Sequence, residues 1–72
     1  MNIDLRSLRE SIGQELLAIN RYQDFVDASE NDEVREALAK IRDDRKEEVV
    51  EIWSLLRKFD RRQDQAFRKE EL

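Results

Sequence analysis

Two apolar stripes at helical spacing, joined by a short polar turn, constrain this chain more than any other feature. In each half, apolar residues recur every three or four positions, which is the period of one helix face. The stripes are interrupted once each, by Glu15 in the first and by Arg45 and Glu48 in the second. Their apolar members are Leu5, Leu8, Ile12, Ile19, Tyr22 and Val26, then Val34, Leu38, Ile41, Ile52, Leu55 and Phe59. The pattern predicts two helices, and the buried face of each helix carries charged residues about halfway along its length.

Capping residues predict where the two helices begin and end. Asp4 is the expected N-cap of the first helix, because its carboxylate can accept hydrogen bonds from the free amides of the first turn. This helix should run to about Ala28, where the periodic pattern stops. Asn31 or Asp32 should cap the second helix, which should run to about Phe59.

Length and composition predict one small domain, residues 1–72, whose last part, residues 60–72, is a polar tail or a short third helix. The chain is 44% charged and 39% hydrophobic, and a core of this size rarely stabilises a fold alone. It contains no cysteine and no histidine, which excludes disulfides and thiolate or imidazole metal sites. Additional stability must therefore come from oligomerisation or from a metal held by carboxylates.

Charge and hydropathy also argue against several classes of function. The net charge is -4, and Lys and Arg are scattered among acids, so we expect no nucleic-acid partner. No apolar run is long enough for a signal peptide or a membrane span. We expect a soluble protein, and the lack of cysteine fits a cytoplasmic location. No nucleophile–base pair or phosphate loop is present, which argues against ordinary hydrolase or kinase chemistry.

The short turn predicts an antiparallel hairpin and also its register. Facing residues should lie at equal distances from a turn centred near residue 30. This register puts apolar residues opposite apolar residues at both ends of the hairpin. At its middle, Glu15 faces Arg45, and Glu48 lies one layer along. The sequence therefore predicts an all-α hairpin with a charged layer halfway along it.

The predicted apolar surface is wider than one partner helix can cover. Further apolar residues flank both stripes, namely Leu16, Leu17 and Phe25 on the first helix and Val49, Trp53 and Leu56 on the second. Two hairpins packed as a four-helix bundle would bury them, most simply as a two-fold symmetric dimer. We therefore expect a homo-dimer or a higher homo-oligomer, in which two copies of the charged layer lie close together.

Residues 15–22, 32–35 and 41–48, with the tail from Leu56 onward, also carry a family resemblance. They resemble the half-ferritin hairpin of rubrerythrin-like and encapsulated ferritin-like proteins in the ferritin-like superfamily. In that family, a helix-one Glu and a helix-two Glu-x-x-His, duplicated by dimerisation, hold a di-iron centre that oxidises ferrous iron. The resemblance implies a ferritin-like bundle with ferroxidase-like activity and, for the encapsulated branch, a protein shell as partner.

Carried over to this chain, the resemblance identifies a partly altered site. Glu15 matches the helix-one ligand, and Tyr22 matches a tyrosine two turns later. The helix-two Glu falls on Arg45 and the His falls on Glu48, and a guanidinium cannot bind a divalent cation. The candidate ligands for iron or another divalent cation are therefore Glu15 and Glu48, surrounded by Tyr22, Arg45, Asp44 and Glu51.

Two interpretations of the charged layer remain open. Two chains would contribute four carboxylates and two guanidinia, and the remaining charge of -2 must be protonated, hydrated or matched by a cation. In the first interpretation, Arg45 turns outward and the carboxylates hold one or two hard cations, such as iron, manganese or calcium. In the second, no cofactor is bound and Arg45 bridges Glu15 and Glu48, so that the chain is a metal-free pseudo-ferritin with a structural or protein-interaction role.

Overall fold

The computed structural model describes residues 2–71 and consists of three α-helices. They are α1 (Asn2–Ala28), α2 (Asp32–Phe59) and α3 (Arg61–Lys69). The long helices α1 and α2 pack side by side as a hairpin, and within the described range no strand is present. The predicted all-α hairpin is confirmed. Residues 1 and 72 of the predicted domain and tail lie outside the described residues. None of the three helices combines the length and the apolar character that crossing a membrane requires.

The start of α1 differs from the prediction. The helix includes Asn2, so Asp4 lies inside the first turn and is not the N-cap. Residues 2–4 contain no proline or glycine that would oppose helical backbone, and the helix therefore continues past Asp4 toward the N-terminus. The Asp4 carboxylate still complements the partial positive charge of the helix N-terminus.

The turn between α1 and α2 is held by side-chain hydrogen bonds. The Asn31 Oδ1 accepts a hydrogen bond from the backbone N of Val34 at 2.9 Å, so Asn31 is the N-cap of α2. The Arg35 Nη2 donates to the carbonyl oxygen of Ser29 at 2.6 Å, while its Nη1 bonds Asp32. These contacts satisfy backbone groups that a helix end leaves free, and they define where α2 begins.

Asp60 forms the corner between α2 and α3. Its backbone N donates to the Leu56 carbonyl at 2.7 Å, which closes α2. Its side-chain Oδ1 accepts from the backbone N of Gln63 at 3.1 Å, which caps α3. The other carboxylate oxygen lies 3.6 Å from Arg9 on α1. One residue therefore ends α2, starts α3 and contacts α1.

Aromatic and ionic contacts hold α3 against α2. The rings of Trp53 and Phe67 meet edge to face, with centroids 5.1 Å apart. The Arg57 guanidinium lies 4.8 Å from the centre of the Phe67 ring. Asp64 accepts hydrogen bonds from Arg57 at 2.8 Å and from Arg68 at 2.7 Å. The short third helix thus packs over the C-terminal part of α2.

Few side chains of the single chain are buried. Among the described residues, only Ile12 and Leu56 are fully enclosed, at 6% and 1% exposure. Leu56 belongs to the flanking stripe that we expected a second copy to cover. By contrast, Ile41 and Leu55 remain exposed, although they belong to the apolar stripe of the second helix that was predicted to face α1. The packing of α3 beside Trp53 accounts for part of this difference, because it covers the flanking stripe within one chain.

Candidate functional site

The charged layer forms where the hairpin register predicts it. Glu15 on α1 faces Arg45 on α2, and the Arg45 Nη1 donates to the Glu15 Oε1 at 3.3 Å. The same nitrogen donates to the Glu48 Oε2 at 3.1 Å. Residues 45 and 48 are three apart on α2 and therefore share a face. One guanidinium thus bridges two carboxylates that come from different helices.

The three charged side chains are enclosed to different degrees. The Glu15 side chain is only 16% exposed, whereas Arg45 and Glu48 are 37% and 45% exposed. The Glu15 Oε2 is shielded from solvent and has no hydrogen-bond partner. A buried carboxylate oxygen without a donor is unfavourable unless a proton or a cation reaches it. Solvent therefore reaches the charged layer from the α2 side, at Arg45 and Glu48, and is largely excluded from Glu15 on α1. One oxygen of Glu15 remains without a hydrogen-bond donor.

The two carboxyl groups have pKa values shifted in opposite directions. The pKa of Glu15 is raised, chiefly because its protonated form can hydrogen-bond Glu48, and also because of burial and the charge of Glu48. Arg45 acts against this increase. The pKa of Glu48 is lowered, first by the hydrogen bond from Glu15 and then by that from Arg45. When the pair binds a single proton, Glu15 therefore carries it and donates it to Glu48.

The fixed charge of Arg45 is reinforced by its neighbours. Its hydrogen bond to Glu48, together with the charges of Glu15 and Glu48, raises its pKa. With Glu15 protonated, the layer of one chain carries no net charge. With both glutamates ionised, it carries -1, and this charge can attract a cation.

The other predicted site residues lie at the margin of the layer. Tyr22 is half-buried and packs edge-on against Phe25, with ring centroids 5.6 Å apart. The Asp44 carboxylate accepts a hydrogen bond from Lys40 at 3.1 Å. Its negative charge opposes, without cancelling, the lowering of the pKa of Glu48. Glu51 is exposed. The structure therefore brings Glu15, Arg45 and Glu48 together and leaves Asp44 and Glu51 outside this contact.

One chain does not supply a complete metal site. In the part of the chain that the structure describes, no three carboxylate-bearing residues are grouped closely enough to hold a metal ion. Hard divalent cations need about six oxygen ligands, from protein or water. The layer offers two carboxylates and places a guanidinium between them. It fits a divalent cation only if a second copy adds its own carboxylates and Arg45 gives up at least one hydrogen bond.

A second contact between the long helices was not predicted from the sequence. The Arg42 Nη1 donates to the Gln23 Oε1 at 2.9 Å, between the charged layer and the hairpin turn. The Arg42 Nε also bonds Asp43. Neither Gln23 nor Arg42 belongs to an apolar stripe, so the periodic pattern carries no signal for this pair. Their long side chains reach each other at the edge of the helix interface.

Comparison with known proteins gives two matches. The EncFtn-like family matches residues 1–71. The encapsulin nanocompartment cargo protein EncC of Myxococcus xanthus (strain DK1622) is 34% identical over 55 residues, which make up 76% of this chain and 42% of that protein. The chain therefore spans less than half the length of this curated relative. No solved structure matches it significantly.

Proposed function

Because the chain belongs to the EncFtn-like family, we propose that it is a ferritin-like cargo protein of a protein shell that takes ferrous iron as substrate between two copies of its hairpin. The observation that carries the iron proposal is the convergence of Glu15 and Glu48, with one shielded Glu15 oxygen that lacks a donor. The name of the M. xanthus relative supports the role as cargo. The cytoplasmic location expected from the sequence belongs to the same proposal.

Exposed apolar surface supports association with a second copy. The chain exposes 5936 Å², whereas a compact monomer of this mass exposes about 4,700 Å². Ile41 and Leu55 are exposed and lie seven residues before and after Glu48, so all three share one side of α2. A second hairpin on this side would cover apolar surface and enclose Glu48. Two charged layers would then approach each other.

Charge balance indicates how the paired layers would treat a cation. Four ionised carboxylates and two guanidinia leave -2, which one divalent cation neutralises. Glu15 and Glu48 would bind the ion through oxygen, and Arg45 would hold the two carboxylates in place until the ion arrives. Oxidation of ferrous iron is the chemistry that the family resemblance implies for such an ion. Since a proton competes for Glu15, its raised pKa predicts that cation binding strengthens as the pH increases.

A second candidate function is a metal-free pseudo-ferritin, and one observation favours it. Arg45 bonds both candidate ligands in the single chain, and the shared proton can satisfy the remaining charge. The layer would then determine the register of the hairpin and the choice of partner, which is a known role of polar groups in helical cores. The protein would act as a structural or interaction module.

Metal analysis together with native mass distinguishes the two candidates. The purified protein is incubated with ferrous iron and separated from free metal. Plasma mass spectrometry then gives the metal content, and the native mass gives the number of chains that share it. We expect one or two ions per dimer for the wild type and for the control Glu47→Gln on the exposed face of α2, and a large loss for Glu15→Gln. A wild type that retains no metal would overturn the iron proposal and support the pseudo-ferritin.

The role as cargo has a separate test. The chain is co-produced with an encapsulin shell protein, and the mixture is separated by sedimentation. We expect the chain to sediment with the shell and to be protected from added protease. A chain that stays at the top of the gradient while the shell assembles would overturn this part of the proposal.

A further inference from the structure

A basic cleft lies between the C-terminal part of α2 and the short helix α3. Its lining residues are Ser54, Arg57 and Lys58 on α2, and Asp64 and Arg68 on α3. Residues three or four apart share one side of a helix, which explains how each helix contributes its lining residues to the same space. The cleft has a volume of about 490 Å³, within the range of pockets that bind small molecules. Three cations and one carboxylate give the lining a net charge of +2, in a chain whose net charge is -4.

Asp64 holds the two guanidinium groups of the cleft in place. Its Oδ1 accepts a hydrogen bond from the Arg57 Nε at 2.8 Å, and its Oδ2 accepts one from the Arg68 Nε at 2.7 Å. These two bonds lower the pKa of Asp64, so its carboxylate stays ionised at neutral pH. The Arg57 guanidinium also lies 4.8 Å from the centre of the Phe67 ring. Both guanidinia are therefore positioned at the cleft before a ligand arrives, which reduces the entropy lost on binding.

The cleft contains more positive charge than its own carboxylate can neutralise. Both oxygens of Asp64 already accept hydrogen bonds from arginines. Among the described residues, Lys58 forms no ion pair, and its ammonium lies 5.3 Å from the centre of the Phe59 ring. The Arg68 side chain is 76% exposed, and Asp64 is its one carboxylate partner in the described part of the chain. Lys58 and Arg68 therefore keep N–H donors that an anion from solution can reach.

We propose that this cleft binds a phosphate group, either inorganic phosphate or the phosphate of a small molecule. A phosphate group carries about two negative charges at neutral pH, which matches the +2 of the lining. Guanidinium groups suit phosphate, because their planar fork donates two parallel hydrogen bonds to two oxygens. Ser54 donates its hydroxyl hydrogen to the Val50 carbonyl oxygen at 2.9 Å, so the cations supply the donors. A carboxylate ligand, with a single negative charge, would neutralise only half of this charge.

The phosphate site is separate from the charged layer. It shares no residue with Glu15, Arg45 and Glu48, and its five lining residues come from one chain. Phosphate binding therefore requires neither iron nor a second copy, and it goes beyond the function proposed above. Because the cleft is open to water, salt screens its charges, and binding should weaken as the ionic strength increases.

Nuclear magnetic resonance of the metal-free protein tests the proposal. Inorganic phosphate is added at a constant ionic strength of about 50 mM, maintained with chloride to limit screening, and the Nε–H signals of the arginines are followed. We expect saturable shifts for Arg57 and Arg68 and none for Arg6 on α1, whose guanidinium pairs with Glu10. Signals of Arg57 and Arg68 that do not shift, or that shift without saturation, would overturn the proposal.

A second titration with adenosine monophosphate distinguishes the two sources of the phosphate group. Tighter binding than that of inorganic phosphate would support the phosphate of a small molecule as the ligand. Equal or weaker binding would support inorganic phosphate. Both results require that the phosphate group is recognised, whereas saturable binding of neither compound would contradict the site.

Two matched variants separate the cleft from the general charge of this part of the molecule. Lys58→Gln/Arg68→Gln removes two cations from the lining and should weaken phosphate binding about tenfold, because each exposed ion pair contributes up to about fivefold. Arg62→Gln/Lys69→Gln makes the same charge change on exposed side chains outside the lining. This control should weaken binding less than about twofold, since salt screens more distant charges. Equal losses in both variants, or wild-type affinity in Lys58→Gln/Arg68→Gln, would overturn the proposal.

Two further variants exclude an indirect effect through the packing of α3. Lys58→Gln alone changes no contact of α3 and should still weaken phosphate binding about threefold. Asp64→Asn removes the negative charge from the cleft but keeps an acceptor for the arginines, so phosphate should bind about fivefold more tightly. The emission of Trp53, which contacts α3 through Phe67, reports whether α3 stays in place. Wild-type affinity in Lys58→Gln, or unchanged affinity in an Asp64→Asn protein with wild-type Trp53 emission, would mean that these residues only hold α3 on α2.

Discussion

At the scale of single residues, Arg45 decides which chemistry the charged layer can perform. It lies where the ferritin-like resemblance expects a carboxylate ligand, and it bonds Glu15 and Glu48 at once. A guanidinium stays protonated throughout the physiological range, so the layer always contains one positive charge. Any cation that binds here must compete with this charge.

Replacement of Arg45 by Glu tests this competition. In Arg45→Glu, three carboxylates meet without a counter-charge, so we expect a melting temperature several degrees below that of the wild type in the presence of chelator. Ferrous or manganous ions should restore it, because ions that bind the folded state stabilise it. Thermal unfolding followed by circular dichroism measures both effects. Lys46→Glu, an exposed neighbour with the same charge change, is the control, and an Arg45→Glu protein as stable as wild type in chelator would contradict the ion-pair layer.

The shared proton predicts how stability depends on pH. The raised pKa of Glu15 contributes stability that is complete below the unfolded pKa and is lost as the pH rises through the raised value. The lowered pKa of Glu48 contributes stability that is complete above the unfolded pKa and is lost as the pH falls through the lowered value. The pair therefore stabilises most near the ordinary pKa of glutamate, about 4.3.

Glu15→Gln isolates the upper side of this profile. Glutamine can donate to Glu48 at every pH, so the variant should gain stability relative to the wild type as the pH increases from about 4.3 to about 7. Urea unfolding in chelator at several pH values measures the difference. Glu47→Gln should follow the wild-type profile, and parallel profiles for Glu15→Gln and the wild type would argue against a shared proton.

At the scale of helices, α3 gives the hairpin an additional cover. Phe67 contacts Trp53 edge to face, and Asp64 bonds guanidinia on both α2 and α3. Because Asp60 ends α2 and caps α3, the direction of α3 is determined at one residue. The short helix is therefore held at its start by a cap and along its length by an aromatic contact.

Removal of the Phe67 ring should release α3 while α1 and α2 remain paired. An edge-to-face aromatic pair contributes about 0.5–1.5 kcal/mol beyond its area, so Phe67→Ala should expose Trp53, the single tryptophan of the chain. We expect a red shift of tryptophan emission and a loss of helix signal no larger than the nine residues of α3. Gln65→Ala, on the exposed side of α3, should change neither quantity. Unchanged Trp53 emission in Phe67→Ala would mean that α3 is held by its ion pairs alone.

At the scale of the whole molecule, the single chain is elongated and thinly packed. Its radius of gyration is 15.2 Å, whereas a compact chain of this length has about 11 Å. Large apolar side chains such as Leu17, Phe25, Val34 and Ile41 remain exposed. We expect a protein that exposes this many large apolar side chains to associate, because association removes apolar surface from water.

A lysine on the Glu48 side of α2 should prevent the apolar association. Ile41→Lys places a charge in the surface that a second hairpin would bury, so native mass spectrometry should detect a shift to smaller species. Val50→Lys is the matched control, because Val50 is also exposed but lies on the opposite side of α2. Retention of the wild-type mass by Ile41→Lys, or equal losses in both variants, would contradict association through this side.

Much of the fold follows from local physics, which is why the sequence alone predicts it. The three-to-four-residue spacing of the apolar residues makes the helices, and a polar turn of a few residues makes their pairing antiparallel. The same register brings Glu15 opposite Arg45, because the turn position sets the pairing of two long helices. Asn31 caps α2 because its side chain reaches an amide three residues away.

Other features depend on contacts between residues far apart in the sequence, and only the tertiary structure decides them. The helical period does not predict whether Leu55 or Leu56 is buried, since that depends on the rotation of α2 and on the cover that α3 provides. The pair of Arg42 and Gln23 depends on side-chain reach, which no periodic pattern encodes. The sequence by itself determined the helices, their pairing and the residues of the charged layer, because these follow from local spacing and from the position of the turn. The packing of the three helices decided which side chains are covered, because cover depends on contacts between residues far apart in the chain.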